Sequence, residues 1–241
     1  MKRNSLINLL PPKIQERILL KSDTFELQIS QVICEVNKPI QYLYFPIEGF
    51  ISITQGVSRH PALEVGMIGR EGVLGGEISL GRKTNSFGAI VQGAGFARRL
   101  SVIDFLKETS QCLKLRTVID LYLAVRLGQL GQSAACEHFH RIGPRLAKWL
   151  LMSQDRAQSA TFSMTHEFIA LMLGIRRVGV TTTAANFKRR GLIEYHRGEM
   201  KILDRIGLRA IACSCYQADN NLYLSLMKDV QNQRQITQPR K

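Results

Sequence analysis

Apolar residues are spaced in two different ways along this chain. In the N-terminal half they fall in short runs, Gln41 to Phe45, Gly49 to Thr54, Leu63 to Ile68 and Ala89 to Val91, and about eleven of the 19 glycines lie between Gly49 and Gly95 to punctuate them. Short strands at this spacing predict an antiparallel barrel or jelly roll. Ahead of them, the segment from Pro11 to Leu20 predicts a short amphipathic helix, proline being tolerated at the first helical position. From about Ser101 to His140 glycines thin out and apolar residues recur at Ile119, Leu123, Leu127, Leu130 and Ala134. That periodicity predicts a long helix with one apolar stripe, able to dock on its own domain or to zip to a second copy. A parallel dimer seam is the favoured reading. Gly128 and Gly131 weaken such a helix while permitting close backbone approach.

From Thr165 onward the pattern changes again. Thr165 suits an N-cap, Phe168, Ile169, Met172 and Leu173 follow at helical spacing, and Gly174 can take the left-handed conformation that ends a helix. A second helix opens near Arg176 with Val180, Ala184 and Phe187 as its buried stripe. Arg177, Thr181, Thr182 and Lys188 then lie off that stripe. Next, Leu192 to Leu203 alternates apolar and polar residues about Arg197-Gly198, which predicts a hairpin. Two helices, a tight turn and a hairpin make a winged helix-turn-helix. In such a unit the first turn of the second helix meets base edges, Lys188 and Arg189 suit phosphates, and the wing tip, His196 and Arg197, lies against the backbone of the duplex.

Charge points to the same partner. The formal net charge is +14 and the pI near 9.9, and thirteen Lys or Arg face five Asp or Glu between Arg141 and Arg209. A positive field attracts polyanions in general, so the helical motif selects DNA among them. At 241 residues and 45% hydrophobic content the chain can build one large core or two modest ones. No apolar run approaches the roughly 20 residues that span a bilayer, and the start, Met1-Lys2-Arg3 leading to Pro11-Pro12, has no secretory pattern. A cytoplasmic protein without a membrane partner is expected. The five cysteines are odd in number and scattered, against a disulfide framework.

The order of parts, strand-rich domain, long helix, helix-turn-helix and wing, resembles the Crp/Fnr superfamily of the cyclic-AMP receptor protein and the fumarate-nitrate regulator. The resemblance implies an α+β fold. It assigns residues 1–104 to a double-stranded β-helix (jelly-roll) sensor domain like those that bind cyclic nucleotides, 105–140 to a long dimerisation helix, 141–212 to the winged helix-turn-helix, and 213–241 to a C-terminal helix and a polar tail; the polar composition of Gln231 to Lys241 by itself predicts disorder there. It also implies a homodimer on a palindromic operator in double-stranded DNA, with RNA polymerase as a further partner. By position, the family's base-reading arginine matches Arg177 beside Arg176, its acidic reader falls on Val178, a second basic reader falls on Thr182, and its phosphate contacts fall on Thr165 and His166. The operator should therefore differ from that of the best-known members.

The ligand side departs further from the family. Gly76-Glu77 fits the start of its nucleotide motif, but the position expected to deliver an arginine lands on Phe87-Gly88-Ala89. A buried phosphate without a cation is costly, and only Arg82 and Lys83 lie near in sequence. Leu121 to Leu130 also offers no serine or threonine to an adenine base. Cyclic-nucleotide sensing is thus not expected. Nor is an iron-sulfur cluster, since no cysteine precedes Cys34. Cys136 and His140 could share a helix face, and Cys213 and Cys215 could add thiolates if they lay close, but the expectation is of helix-end residues without a metal. Haem on one of these histidines is left open. No Walker loop, dinucleotide fingerprint, HExxH or nucleophile elbow occurs, and an enzyme is not expected. The competing readings are a constitutive, ligand-independent or accessory nucleic-acid binder with a degenerate sensor domain, and a cyclic-nucleotide-responsive regulator.

Overall fold

The structure, a computed structural model, describes residues 3–196 and 198–236. A short helix α1 (Ser5–Asn8) is capped by the Asn4 side chain, and α2 (Pro12–Lys21) starts on its proline as expected. Seven strands follow: β1 (Asp23–Leu27), β2 (Val32–Cys34), β3 (Tyr42–Pro46), β4 (Phe50–Gln55), β5 (Leu63–Ile68), β6 (Gly88–Gly93) and β7 (Gly95–Ser101). They pair antiparallel into two sheets, ordered β1-β7-β3 and β2-β6-β4-β5, with a 3-10 turn (Gly76–Leu80) between β5 and β6. This is the two-sheet roll that the apolar runs predict. The sequence pattern misses β1, β2 and β7, whose alternation is blurred by exposed apolar residues such as Val32 and Phe96.

The expected continuous helix over 105–140 is two helices. Ser101 caps α3 (Val102–Gln111), its Oγ accepting from the Asp104 N–H at 3.0 Å. The chain then breaks at Cys112, whose φ of −143° and ψ of 94° are extended, before α4 (Leu113–Phe139). The nearly buried Glu108 fixes α3 to α2 through Lys21 at 2.7 Å and Arg17 at 2.5 Å. Neither proline nor glycine marks the break, so helical periodicity alone runs across it.

Beyond α4 lie α5 (Ile142–Ala157), β8 (Thr161–Ser163), α6 (His166–Leu173), α7 (Arg177–Arg189), β9 (Ile193–His196), β10 (Glu199–Ile202), α8 (Arg205–Ile211) and α9 (Cys215–Ile236). Residues 231–236 continue α9, so the disordered tail expected from Gln231 does not begin there, while 237–241 fall outside the described residues. Helix α9 runs antiparallel along α4. Near its start Gln132 donates to Cys215 Sγ at 3.0 Å, midway Leu222 fills the space left by Gly128, and near its end Lys114 Nζ donates to the Val230 carbonyl at 3.0 Å. The close approach that Gly128 permits is thus to the chain's own last helix.

Three apolar clusters hold these parts together. One joins α1, α2, α3 and α4 to the β3 side of the roll, one fills the roll, and the third packs α5 to α8 around Trp149, Leu150, Ile169 and Phe187. Phe50 and Met67 of the roll belong to that third cluster, so the C-terminal unit shares a core with the sheet.

Candidate DNA-binding surface and β-domain cavity

The helix-turn-helix is built from the residues that predicted it. Thr165 Oγ1 accepts from the Phe168 N–H at 3.1 Å, and Gly174 closes α6 at φ 62°, where an L side chain would be strained. Helices α6 and α7 cross at a bend of 115°, within the usual range for this motif. Val180, Ala184 and Phe187 are buried, at 0%, 3% and 2% exposure. Arg176, Arg177, Val178, Thr181, Thr182, Lys188 and Arg189 are all exposed, off that stripe. Val178 is 75% exposed, an apolar residue displayed where the family carries an acid. Lys188 and Arg189 occupy the last turn of α7, where cations complement the helix dipole.

His166 does something that motif reading did not anticipate. Its ring stacks on Tyr195 of β9, centroids 4.1 Å apart, and its Nδ1 lies 3.2 Å from Thr181 Oγ1 on α7. Burial, and then the Arg177 charge, lower its pKa from the ordinary value. A neutral imidazole therefore joins the wing strand to the recognition helix. The wing itself is the β9–β10 hairpin, paired from Ile193↔Ile202 to His196↔Glu199 and closed through Gly198 at φ 86°. His196 is exposed at its end, and Arg197 lies outside the described residues. A third strand, β8, pairs with β10; its three residues are too few to give a periodic signal in the sequence.

The β-domain cavity is a different kind of place. It holds about 40 Å³ between the roll and α4, lined among others by Glu77, Phe87, Tyr122, Leu123 and Arg126. Of the residues expected there, only Glu77 and Phe87 line it. Gly76 instead packs under Ile119 and Leu123, Gly88 faces Thr54, Ala89 is buried within the roll, and Arg82 and Lys83 are exposed, with Arg82 Nε donating to the Thr84 carbonyl at 3.3 Å. The cation at this cavity comes from α4. Arg126 Nη1 donates to the Met67 carbonyl at 3.2 Å and to Gln129 Oε1 at 3.0 Å. A charge interrupting the apolar run of Leu121 to Leu130 was the available signal. Tyr122 OH is buried there without a side-chain hydrogen-bond partner among the described residues, and burial pushes its pKa up.

The proposed seam residues divide. Ile119 is fully buried in its own chain's core and Leu123 packs against the same cluster, whereas Leu127 is 73% exposed, Ala134 is exposed and Leu130 is half-buried. At the joint between the roll and the C-terminal unit, Trp149 Nε1 on α5 donates to Glu64 Oε1 on β5 at 2.9 Å, and Ser52 Oγ donates to the other oxygen. Burial pushes the Glu64 carboxyl up to about 7 against these hydrogen bonds. Arg156 of α5 pairs with Glu71 at 2.9 Å across the same joint.

Cys136, His140, Cys213 and Cys215, expected as helix-end residues without a metal, are brought together by the packing of α9 on α4. His138 is not among them; it is exposed and meets Phe139 edge-on.

Residues 144–211 match the Crp-like helix-turn-helix domain. No curated protein matches the chain. Among solved structures, FixK2 from Bradyrhizobium japonicum is 15% identical, with 80% of this chain and 98% of that one covered and a TM-score of 0.68. TTHB099, a CRP-family transcriptional regulator from Thermus thermophilus, is 18% identical over 79% of this chain and 96% of its own, with a TM-score of 0.65. TTHA1359, a CRP/FNR-family regulator from the same organism, is 20% identical over 79% and 98%, at 0.58.

Proposed function

Because the chain carries a Crp-like helix-turn-helix domain in the fold of the Crp/Fnr transcription regulators, we propose that it binds a palindromic operator as a dimer, under control of an input to the β-domain. The observation that carries this reading is the exposed row Arg177, Val178, Thr181 and Thr182 on α7, backed by a buried stripe and flanked by a wing. Arg177 can give two parallel hydrogen bonds to a guanine edge. Val178 and the threonine methyls suit a thymine methyl, and the threonine hydroxyls can bond a neighbouring base. Thr165, Arg176, Lys188, Arg189 and the wing hold phosphates and set the register. His166 keeps Thr181 oriented from behind.

Two recognition helices are needed to read two half-sites, and the exposed apolar residues Leu127 and Ala134 on α4 supply a seam for a second copy. The input reaches α7 through α5, which Glu64 and Glu71 tie to the roll. Whatever the effector, it must bind one arrangement of that joint better than the other. Against a cyclic nucleotide as that effector stand the small volume of the cavity, about 40 Å³, and the phenyl ring of Phe87 in its lining.

Binding-site selection with the purified full-length protein tests the proposal. A palindromic consensus with half-sites about one helical turn apart is expected. A flat sequence preference would instead favour the accessory nucleic-acid binder, and sedimentation as a monomer at micromolar concentration would remove the dimer.

A further inference from the structure

We propose that Cys136, His140, Cys213 and Cys215 form a closed Cys3His site for one structural zinc ion at the hinge between α4 and the DNA-binding unit. The ligand atoms of these four side chains all lie within 4.8 Å of one another. Cys136 Sγ is 3.5 Å from Cys213 Sγ, and Cys215 Sγ is 3.5 Å from His140 Nδ1. A tetrahedron with zinc–sulfur bonds of about 2.3 Å and zinc–nitrogen bonds of about 2.0 Å has edges of roughly 3.5 to 3.8 Å. Two of the contacts already have that length, and the others lie within 4.8 Å, about 1 Å beyond it.

The donor set selects the metal. Three thiolates and an imidazole are soft ligands that disfavour magnesium and calcium, and four protein ligands leave no open position for a substrate or water, as in structural rather than catalytic zinc sites. The three cysteines are buried, at 5%, 7% and 1% exposure, while half-buried His140 gives the ion its way in. Spacing supports the same reading. Cys136 and His140 are one helical turn apart at the end of α4, and Cys213 and Cys215 flank one residue at the start of α9, where a helix N-terminus favours a thiolate. Gln132 Nε2 donates to Cys215 Sγ at 3.0 Å, an outer contact of the kind that steadies a metal ligand. On binding, each thiol that ligates gives up its proton to solvent and no electron moves.

The position gives the ion its role. His140 ends α4 immediately before α5 begins, and Cys213 to Cys215 is the link by which the chain leaves the DNA-binding unit and turns back along α4. One ion would fasten both ends of that unit to the long helix.

The test uses the full-length protein purified under reducing conditions. Elemental analysis is expected to find about one zinc per chain, and replacement by cobalt is expected to give the intense visible bands of a tetrahedral thiolate site. Cys215→Ser and Cys136→Ser should lose the metal, whereas Cys34→Ser and Cys112→Ser, whose thiols lie elsewhere, should keep it. Should the first pair fail to fold, the unmutated protein still decides, since thiol modification should release zinc in step with three protected cysteines. Absence of zinc even after its addition, an octahedral cobalt spectrum, iron in its place, or a Cys136–Cys213 disulfide in the freshly reduced protein would each overturn the proposal.

Discussion

The recognition surface and the β-domain cavity are built on opposite plans. On α7 the residues that can read a partner stand outside, on a helix whose other face is buried in the core. In the roll, the loop cations Arg82 and Lys83 stand outside, and the inward position is taken by Phe87 in a space of about 40 Å³. Such a space holds about one water, against the roughly 300 Å³ or more of ordinary small-molecule pockets. A duplex is a large external partner, so its site must be exposed and can be rigid beforehand. A small effector must be enclosed, and enclosure here would need α4 or the 3-10 turn to move. On the proposed function, the output surface is finished and the input is closed.

The joint between the two regions offers the largest expected effect. In the unfolded chain Glu64 titrates near the usual 4.5, and in the fold at about 7, so the folded state holds its proton over that interval. The stability this contributes is fully present below about pH 4.5 and is lost as pH rises through about 7, a change of roughly 3 kcal/mol at most. Glu64→Gln keeps an acceptor for Trp149 and cannot ionise. Denaturant melts across pH 4.5 to 8 should therefore lose that part of their slope, and the variant should be the more stable protein at pH 8. An unchanged slope would mean that the carboxyl is solvated and the joint looser than described.

Next in size is Arg177→Ala, which isolates the exposed region. It should weaken binding to the selected operator by about 1 to 3 kcal/mol and relax one base position, with thermal stability unchanged because the side chain is exposed. Equal losses on operator and random DNA would demote Arg177 to a phosphate contact.

How far each region could be read in the sequence follows the same contrast. The cap at Thr165, the turn at Gly174, the stripe of Val180, Ala184 and Phe187, and the hairpin about Gly198 are local features, each fixed by residues within a few positions. They were legible for that reason. The break at Cys112 has no local marker, and strands β1 and β7 are fixed by partners such as Asp23↔Arg99, far apart in the chain. At the cavity, neighbourhood in sequence is a poor guide to neighbourhood in space: Arg82 and Lys83 are exposed and do not line it, while Arg126, far along the chain, does. The four cysteine and histidine ligand atoms likewise meet only because α9 folds back on α4.

Phe87→Ala asks whether the closed input is closed by that ring. Phe87 is half-buried against the core of the roll, so the loss should be about 1 to 2 kcal/mol, below the cost of a fully buried phenylalanine. Operator affinity should hold. Calorimetry with cyclic AMP should show no micromolar binding, since truncation adds space while Arg126, the cation lining the cavity, stays bonded to the Met67 carbonyl and Gln129. Binding gained by this variant would show that bulk alone, and not the engaged cation, shuts the pocket.

The smallest effect tests whether Thr165 belongs to the fold or to the interface. As the N-cap of α6 its hydroxyl satisfies the Phe168 N–H, and Thr165→Ala should cost about 1 kcal/mol of stability, restored by serine. Thr165→Asp separates the two roles. Aspartate is an equally good cap and complements the positive end of the helix, so melting should be unaffected or slightly improved. If the exposed Thr165 faces a phosphate, the added carboxylate should weaken binding to operator and random DNA alike, most strongly at low salt where repulsion is least screened. Unaltered binding by the aspartate variant would leave Thr165 a cap alone and move the phosphate contact to Arg176 or the wing.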